Sequence, residues 1–387
     1  MLLEVLWLTI LGINIVPFGA YILYMRRIAK RKPWNIRLDP TYEPSLSILI
    51  PVFEEEGIII RKLDNVAELD YPKEKMELIV VDSVSKDRTV SLVKEWLQKH
   101  PEIEGQIICQ KERKGMVNAL NEGLAHVHGE IIVKTDADCL LLRDSLRKAL
   151  QYINDPQVGS VAGLHIITSA RETNSVKTER TYREFYAWLR IGESKLYSTV
   201  LYEGELMLIK KRLIVNTGFD EEIGGDDVPL ALRLAEEGYR AITAEDAYFI
   251  EQTPYTWKEK FHQKIRRARH VFQALWKYKR LMFKKKTPLH RLILPFETFI
   301  YVINPIILLP LIALSVPMFL RYPWLLLIFA VLLVGKVRQL FVTHIVNSWI
   351  MLVAMAKETK GKEKPTWEKI NEIRNPANVE NSSGGQS

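Results

Sequence analysis

The sequence predicts an open α/β domain with a largely parallel sheet, flanked at both ends by membrane-spanning helices. Two observations carry this. Apolar runs at 48–53, 78–81 and 131–133 each end in polar residues and alternate with amphipathic stretches, the pattern of buried strands joined by helical crossovers. Residues 1–25 and 291–356 are strongly apolar, whereas the stretch between them carries charged helix faces, so the 48% hydrophobic content of the 387 residues averages two unlike parts.

At the amino terminus, Leu2 to Met25 holds a single charge, Glu4, and is long enough to cross a bilayer core, which takes about 20 residues. A basic juxtamembrane linker, 26–43, follows with Arg26, Arg27, Lys30, Arg31 and Lys32. A signal peptide has the reverse order of charge and apolar run, and the positive-inside rule predicts an integral protein of the cell membrane with its catalytic part in the cytoplasm. Residues 291–356 predict two or three further membrane segments. Lys336 and Arg338 interrupt the second apolar stretch, and the lysine-rich start of the 357–387 tail favours an even number, hence two. The end of that tail reads as disordered. The net charge of +8 lies in clusters beside the apolar spans, which suits anionic membrane lipids; no nucleic-acid-binding module is recognisable, and nucleic acid is not an expected partner. Cys109 and Cys139 are too few for a disulfide framework and read as core residues of a reducing compartment.

Asp136-Ala137-Asp138 follows the apolar run Ile131-Ile132-Val133. Two carboxylates at i and i+2 leaving a strand end can hold one divalent cation, Mg²⁺ or Mn²⁺, against a diphosphate, as sugar-nucleotide chemistry requires. An isolated Asp-x-Asp also occurs in solvated turns, so the setting matters. Upstream, Pro51-Val52-Phe53-Glu54-Glu55 and the loop from Asp82 to Thr89 close the first two strands, where an open sheet presents its ligand crevice. Lys111 to Asn121 opens a helix through Gly115. Downstream, Glu203-Gly204-Glu205 precedes a short strand, and Gly225-Asp226-Asp227 opens another helix. Gln263-Lys264-Ile265-Arg266-Arg267 then lies in a basic amphipathic region, 254–290, suited to the membrane surface.

In this order and spacing, the set over residues 44–280 resembles the family 2 glycosyltransferases, inverting enzymes that include cellulose, hyaluronan and chitin synthases and dolichyl-phosphate sugar transferases. The resemblance implies a GT-A domain, the Rossmann-like nucleotide-diphospho-sugar transferase fold, at 44–253, and a UDP-sugar donor. It implies Pro51, Phe53 and Glu55 near uracil, and Asp82 accepting from the ring N–H of the base. Lys114, with Arg113 as alternative, serves the nucleotide's charge, and Gln263 and Arg266 the diphosphate. Asp138 is the expected metal ligand, with Asp136 bridging metal and ribose. Gly204 belongs to a wall below the acceptor, and Asn216 to Asp220 matches a Gly-Phe-Asp turn. Inversion by single displacement needs one carboxylate opposite the leaving group to take the acceptor proton, and Asp227 is the expected base, with Asp226 beside it. An acid pair at a helix start is also a capping arrangement.

Three positions depart from the family pattern. Glu54 stands for asparagine, Val84 for glycine, and Arg267 for the tryptophan that floors the acceptor site of processive synthases. A guanidinium at that place suits an anionic acceptor, so a lipid or lipid-linked acceptor is expected. A processive polysaccharide synthase is the alternative, and an inactive membrane scaffold of the same fold is the alternative from another class. His165 and His262 match no ligand spacing and read as structural.

Overall fold

The computed structural model describes residues 1–169, 172–254, 256–284 and 286–358, so nearly all of the tail at 357–387 lies outside the described residues. Eight strands form one mixed sheet in the order β3-β2-β1-β4-β7-β6-β8-β5. Its parallel half is β1 (Leu46–Val52), β2 (Met76–Asp82), β3 (Glu104–Cys109) and β4 (Ile131–Thr135). The crossovers are α2 (Ile59–Ala67), α3 (Thr89–Lys99) and α4 (Met116–Leu124). Every residue of β1 and β2 is buried, which explains why these strands read as continuous apolar runs rather than alternating ones. The edge strand β3 has a neighbour on one side only, and there the expectation of a core cysteine fails: Cys109 is exposed while Cys139 is buried.

The other half of the sheet is where the parallel pattern ends. β7 (Leu206–Lys210) runs antiparallel between β4 and β6 (Val158–Thr168), followed by β8 (Arg240–Gln252) and the short β5 (Cys139–Leu141). Chain order turns back at β1, which has β2 on one side and β4 on the other, so the loops after these strands open on one crevice. Helices α5 (Ser145–Ile153), α6 (Asn174–Leu196) and α7 (Val228–Glu236) cover the sheet, and α8 (Trp257–Lys277) crosses beside the crevice.

Three helices among the described residues are long and apolar enough to cross a membrane: Leu2–Arg31, Leu289–Arg321 and Val337–Glu358. The first, α1 (Leu2–Arg31), continues through most of the basic residues expected to form a linker. It lies against α6 at Gly192, where a Cβ would come within 2.5 Å of the Met25 carbonyl. The second, α9 (Leu289–Arg321), meets α1 through a buried hydrogen bond from Asn304 to Asn14 of 2.8 Å, and Trp7 donates to Ser315 at 2.9 Å. Paired polar side chains of this kind join helices where the surroundings offer no water. The ambiguous stretch Pro323–Leu333 forms 3₁₀ turns, and α10 (Gly335–Glu358) returns to pack on α8.

Candidate active site

The loops after β1 and β2 are fastened to each other by short polar side chains. The Glu54 N–H donates to Ser85 Oγ at 2.7 Å, Glu55 N–H to Thr89 Oγ1 at 2.8 Å, and Glu56 N–H to Asp87 Oδ2 at 3.3 Å. Ser85 and Asp87 thus hold one loop to the other. Glu54 and Val84 have φ of 53° and 65°, the left-handed region, so both departures from the family pattern keep the backbone that asparagine and glycine favour. A β-branched residue is strained there, and Val84→Gly should raise stability by about 1 kcal/mol net of glycine's extra chain entropy, read as a higher thermal midpoint. A lower midpoint would mean that Val84 contributes packing exceeding the strain.

Asp82 is buried at the end of β2; its Oδ2 accepts the Ser85 N–H at 3.0 Å and its Oδ1 has no hydrogen-bond partner. The Arg113 guanidinium lies 3.6 Å above the Phe53 ring. Lys114, in contrast, is exposed and pairs with Glu112 at 3.4 Å, so Arg113 is the cation positioned beside the β1 loop. Asn121, from the helix α4, accepts the Phe219 N–H at 2.6 Å and donates to the Phe219 carbonyl at 3.1 Å. Gly218 has φ 66°, and a Cβ there would come within 2.8 Å of Asn121 Oδ1. Two motifs that read separately in the sequence are one structural joint.

Beyond these loops a cavity of about 310 Å³ gathers Pro51, Glu55, Asp136 and Asp138 from the sheet end, Gly204 before β7, Asp226 and Asp227 before α7, and Gln263, Arg266 and Arg267 from α8. Phe53, Asp82 and Lys114 are not part of its lining. At its centre is a residue the sequence reading passed over: Lys134, 1% exposed, sits 2.7 Å from Asp136 and 2.6 Å from Asp226. Burial disfavours its charge, but the two carboxylates outweigh that and keep it protonated. A lysine inside an otherwise apolar strand next to an acid pair was the available signal. Gly204 makes room for this contact, since a Cβ there would meet Asp226 Oδ2 at 2.7 Å.

Asp227 caps α7, its Oδ1 accepting the Val228 N–H at 2.6 Å, so the residue expected to be the base is also the helix cap. Burial, then the adjacent Asp226, push its carboxyl up to about 7. That value suits a base working near neutrality. Asp136 and Asp138 bring hard carboxylate oxygens to the cavity, a donor set that fits Mg²⁺ or Mn²⁺. Arg267 turns onto two carboxylates, Glu205 at 3.0 Å and Glu251 at 3.5 Å, while remaining 40% exposed. One face of α6 adds Glu179, Tyr182, Arg183 and Tyr186 to the cavity, at the i, i+3, i+4, i+7 spacing that could have revealed it. His165, read as structural, lies beside Glu203, Glu205 and Glu251.

Comparison with known proteins gives a consistent picture. The sequence family Glycosyl transferase family 2 matches residues 47–218. The chain is 28% identical over 292 residues to the probable glycosyltransferase YdaM of Bacillus subtilis, covering 73% of this chain and 68% of that protein. It is 29% identical over 212 residues to the dolichyl N-acetyl-alpha-D-glucosaminyl phosphate 3-beta-D-2,3-diacetamido-2,3-dideoxy-beta-D-glucuronosyltransferase of Methanococcus voltae, 51% of this chain and 64% of that one. Among solved structures, the mannosyltransferase PcManGT from Pyrobaculum calidifontis, in complex with GDP-Man and Mn²⁺, matches with a TM-score of 0.78 and 33% identity, over 93% of this chain and all of that one.

Proposed function

Because the chain belongs to glycosyl transferase family 2, and is a glycosyltransferase of GT-A fold, we propose that it moves a sugar with inversion from a nucleoside-diphosphate donor to a lipid or lipid-linked acceptor at the cytoplasmic face of the cell membrane. The carrying observation is that the Asp136/Asp138 pair from β4 and the Asp226/Asp227 pair before α7 line one cavity. Asp227 takes the proton of the acceptor hydroxyl as its oxygen attacks the anomeric carbon and the bond to the diphosphate breaks. Arg266 and Gln263 face the diphosphate from α8. Asp138 and Asp136 would hold a divalent cation, which would supply neutralising charge for the leaving group, while Lys134 pairs with Asp136. Divalent metal is typical of the fold, and PcManGT was solved with Mn²⁺.

The unpartnered Asp82 Oδ1 fits a base with a ring N–H to donate, a feature uracil shares with guanine but not with cytosine. UDP-sugars, expected from the motifs, and GDP-mannose, the ligand of PcManGT, both meet that requirement. A lipid acceptor is supported by the three apolar helices around the domain and by the relative named for a dolichyl-phosphate-linked sugar. Arg267 retains N–H donors and exposure toward the cavity that suit an acceptor phosphate. The basic residues at the end of α1 and before α9 support a cytoplasmic catalytic domain. The test is nucleoside-diphosphate release by the purified full chain in detergent with UDP- and GDP-sugars, with and without membrane lipid extract. Release with one nucleotide class, stimulated by lipid and by Mn²⁺ or Mg²⁺, is expected. Release unaffected by lipid removes the lipid-acceptor reading, and none with any donor removes the nucleotide-sugar reading.

A further inference from the structure

Behind the acceptor side of the cavity, three glutamates converge on one imidazole. His165 projects from β6 with its side chain 3% exposed, and its Nε2 lies 3.5 Å from Glu203 Oε2, 3.6 Å from Glu205 Oε2 and 3.3 Å from Glu251 Oε2. Neither ring nitrogen makes a hydrogen bond, and Glu205 Oε2 is likewise buried without one. The other oxygens of the glutamates are occupied: Arg183 holds Glu203 Oε1 at 2.6 Å, and Arg267 holds Glu205 Oε1 at 3.0 Å and Glu251 Oε1 at 3.5 Å. The arginines therefore fix the carboxylates so that one oxygen of each faces the same nitrogen.

A neutral imidazole does not satisfy that arrangement. One N–H serves one oxygen and leaves the others facing each other, while an unprotonated nitrogen points its lone pair at three acceptors. A cation at the centre resolves every contact. Bonds of about 2.1 Å to imidazole nitrogen and carboxylate oxygen, arranged tetrahedrally, give ligand separations of about 3.4 Å, close to the 3.5 and 3.6 Å from His165 to Glu203 and Glu205. The ligand atoms of His165, Glu203 and Glu205 lie within 4.8 Å of one another, the one group of three such residues that meets this spacing among the described residues.

We propose that His165, Glu203 and Glu205 form a second divalent-cation site, distinct from Asp136 and Asp138 and filled without nucleotide. Imidazole with carboxylates selects a transition ion such as Mn²⁺, Fe²⁺ or Zn²⁺ over Mg²⁺. Arg183 and Arg267 are its outer partners, orienting the ligands as hydrogen-bonded carboxylates are oriented elsewhere. The glutamates line the cavity while His165 does not, so the open side of the ion faces the acceptor and can take an anionic oxygen from it.

The test uses the purified full chain in detergent, stripped with chelator, loaded with Mn²⁺ in the absence of nucleotide and passed over a desalting column. Metal content is measured together with pulsed EPR for coupling of the bound Mn²⁺ to a directly ligated imidazole ¹⁴N. The wild type should retain about one Mn²⁺ per chain with that coupling, and Asp138→Asn should retain it equally. His165→Gln should lose the coupling, and Glu203→Gln, which leaves the imidazole in place, should weaken retention at least tenfold, on the order expected when ligation is disturbed. Wild type holding no Mn²⁺ without nucleotide overturns the proposal. So does ¹⁴N coupling that survives in His165→Gln, or Mn²⁺ lost in Asp138→Asn, which would assign the ion to the donor site.

Discussion

Asp227→Asn is expected to lower turnover by about 10²- to 10⁴-fold while leaving nucleotide-sugar affinity nearly unchanged, the signature of a lost general base. The amide keeps the shape of the side chain and an oxygen for the Val228 N–H, so the cap on α7 survives and the loss falls on proton transfer. The pH profile supplies a second reading. A carboxyl raised to about 7 by burial and by Asp226 is protonated, and useless as a base, below that pH. Turnover should then climb about tenfold per pH unit on the acid side and level off above neutrality, and the variant should lack this limb. Loss of donor affinity together with rate would instead place Asp227 in the donor site and move the base role to Asp226.

The largest effect on stability is expected from Lys134→Met. Removing one member of a buried charge pair leaves its partners uncompensated, at a cost of about 3–5 kcal/mol. Here two carboxylates, Asp136 and Asp226, share the single ammonium within 2.7 Å, and methionine fills its volume without its charge. The thermal midpoint should fall steeply at neutral pH. The sign with pH follows from the same charges: lowering the pH protonates the stranded carboxylates, so the deficit relative to wild type should shrink on acidification. Adding Asp226→Asn to Lys134→Met should recover part of the loss. A midpoint within a degree of wild type at neutral pH would mean that the lysine is dispensable for folding.

The parallel half of the sheet was legible because β1, β2 and β4 are buried on both faces and leave uninterrupted apolar runs that end where the crevice lies. The mixed half was not, since β6 and β8 pair in parallel across a long sequence separation and carry polar residues such as His165 and Glu251. Motif order identified both acid pairs, but spacing along the chain could not show that Lys134 joins Asp136 to Asp226, because the contact exists only once β4 and the turn before α7 meet. The same holds for Asn121, which ties α4 to the Gly218-Phe219 turn. Val84 illustrates the opposite case. Its departure from glycine was visible, but that the loop keeps a left-handed residue there is a property of the backbone, secured by the hydrogen bonds from Glu54 and Glu55 to Ser85 and Thr89. Arg267 stood out as a missing tryptophan; its engagement with Glu205 and Glu251 depends on α8 bringing that side chain to the start of β7 and the end of β8, which no local pattern encodes.

The central claim is a single displacement on one face of the donor sugar with Asp227 as base, and the anomeric configuration of the transferred sugar tests it most directly. The one-bond C1–H1 coupling of the product, measured by NMR after transfer from an α-linked nucleotide sugar labelled at C1, distinguishes the two outcomes. A β-linked product is predicted. An α-linked product would contradict the account, since retention needs either a second displacement or attack from the leaving-group face, neither of which Asp227 acting as base provides.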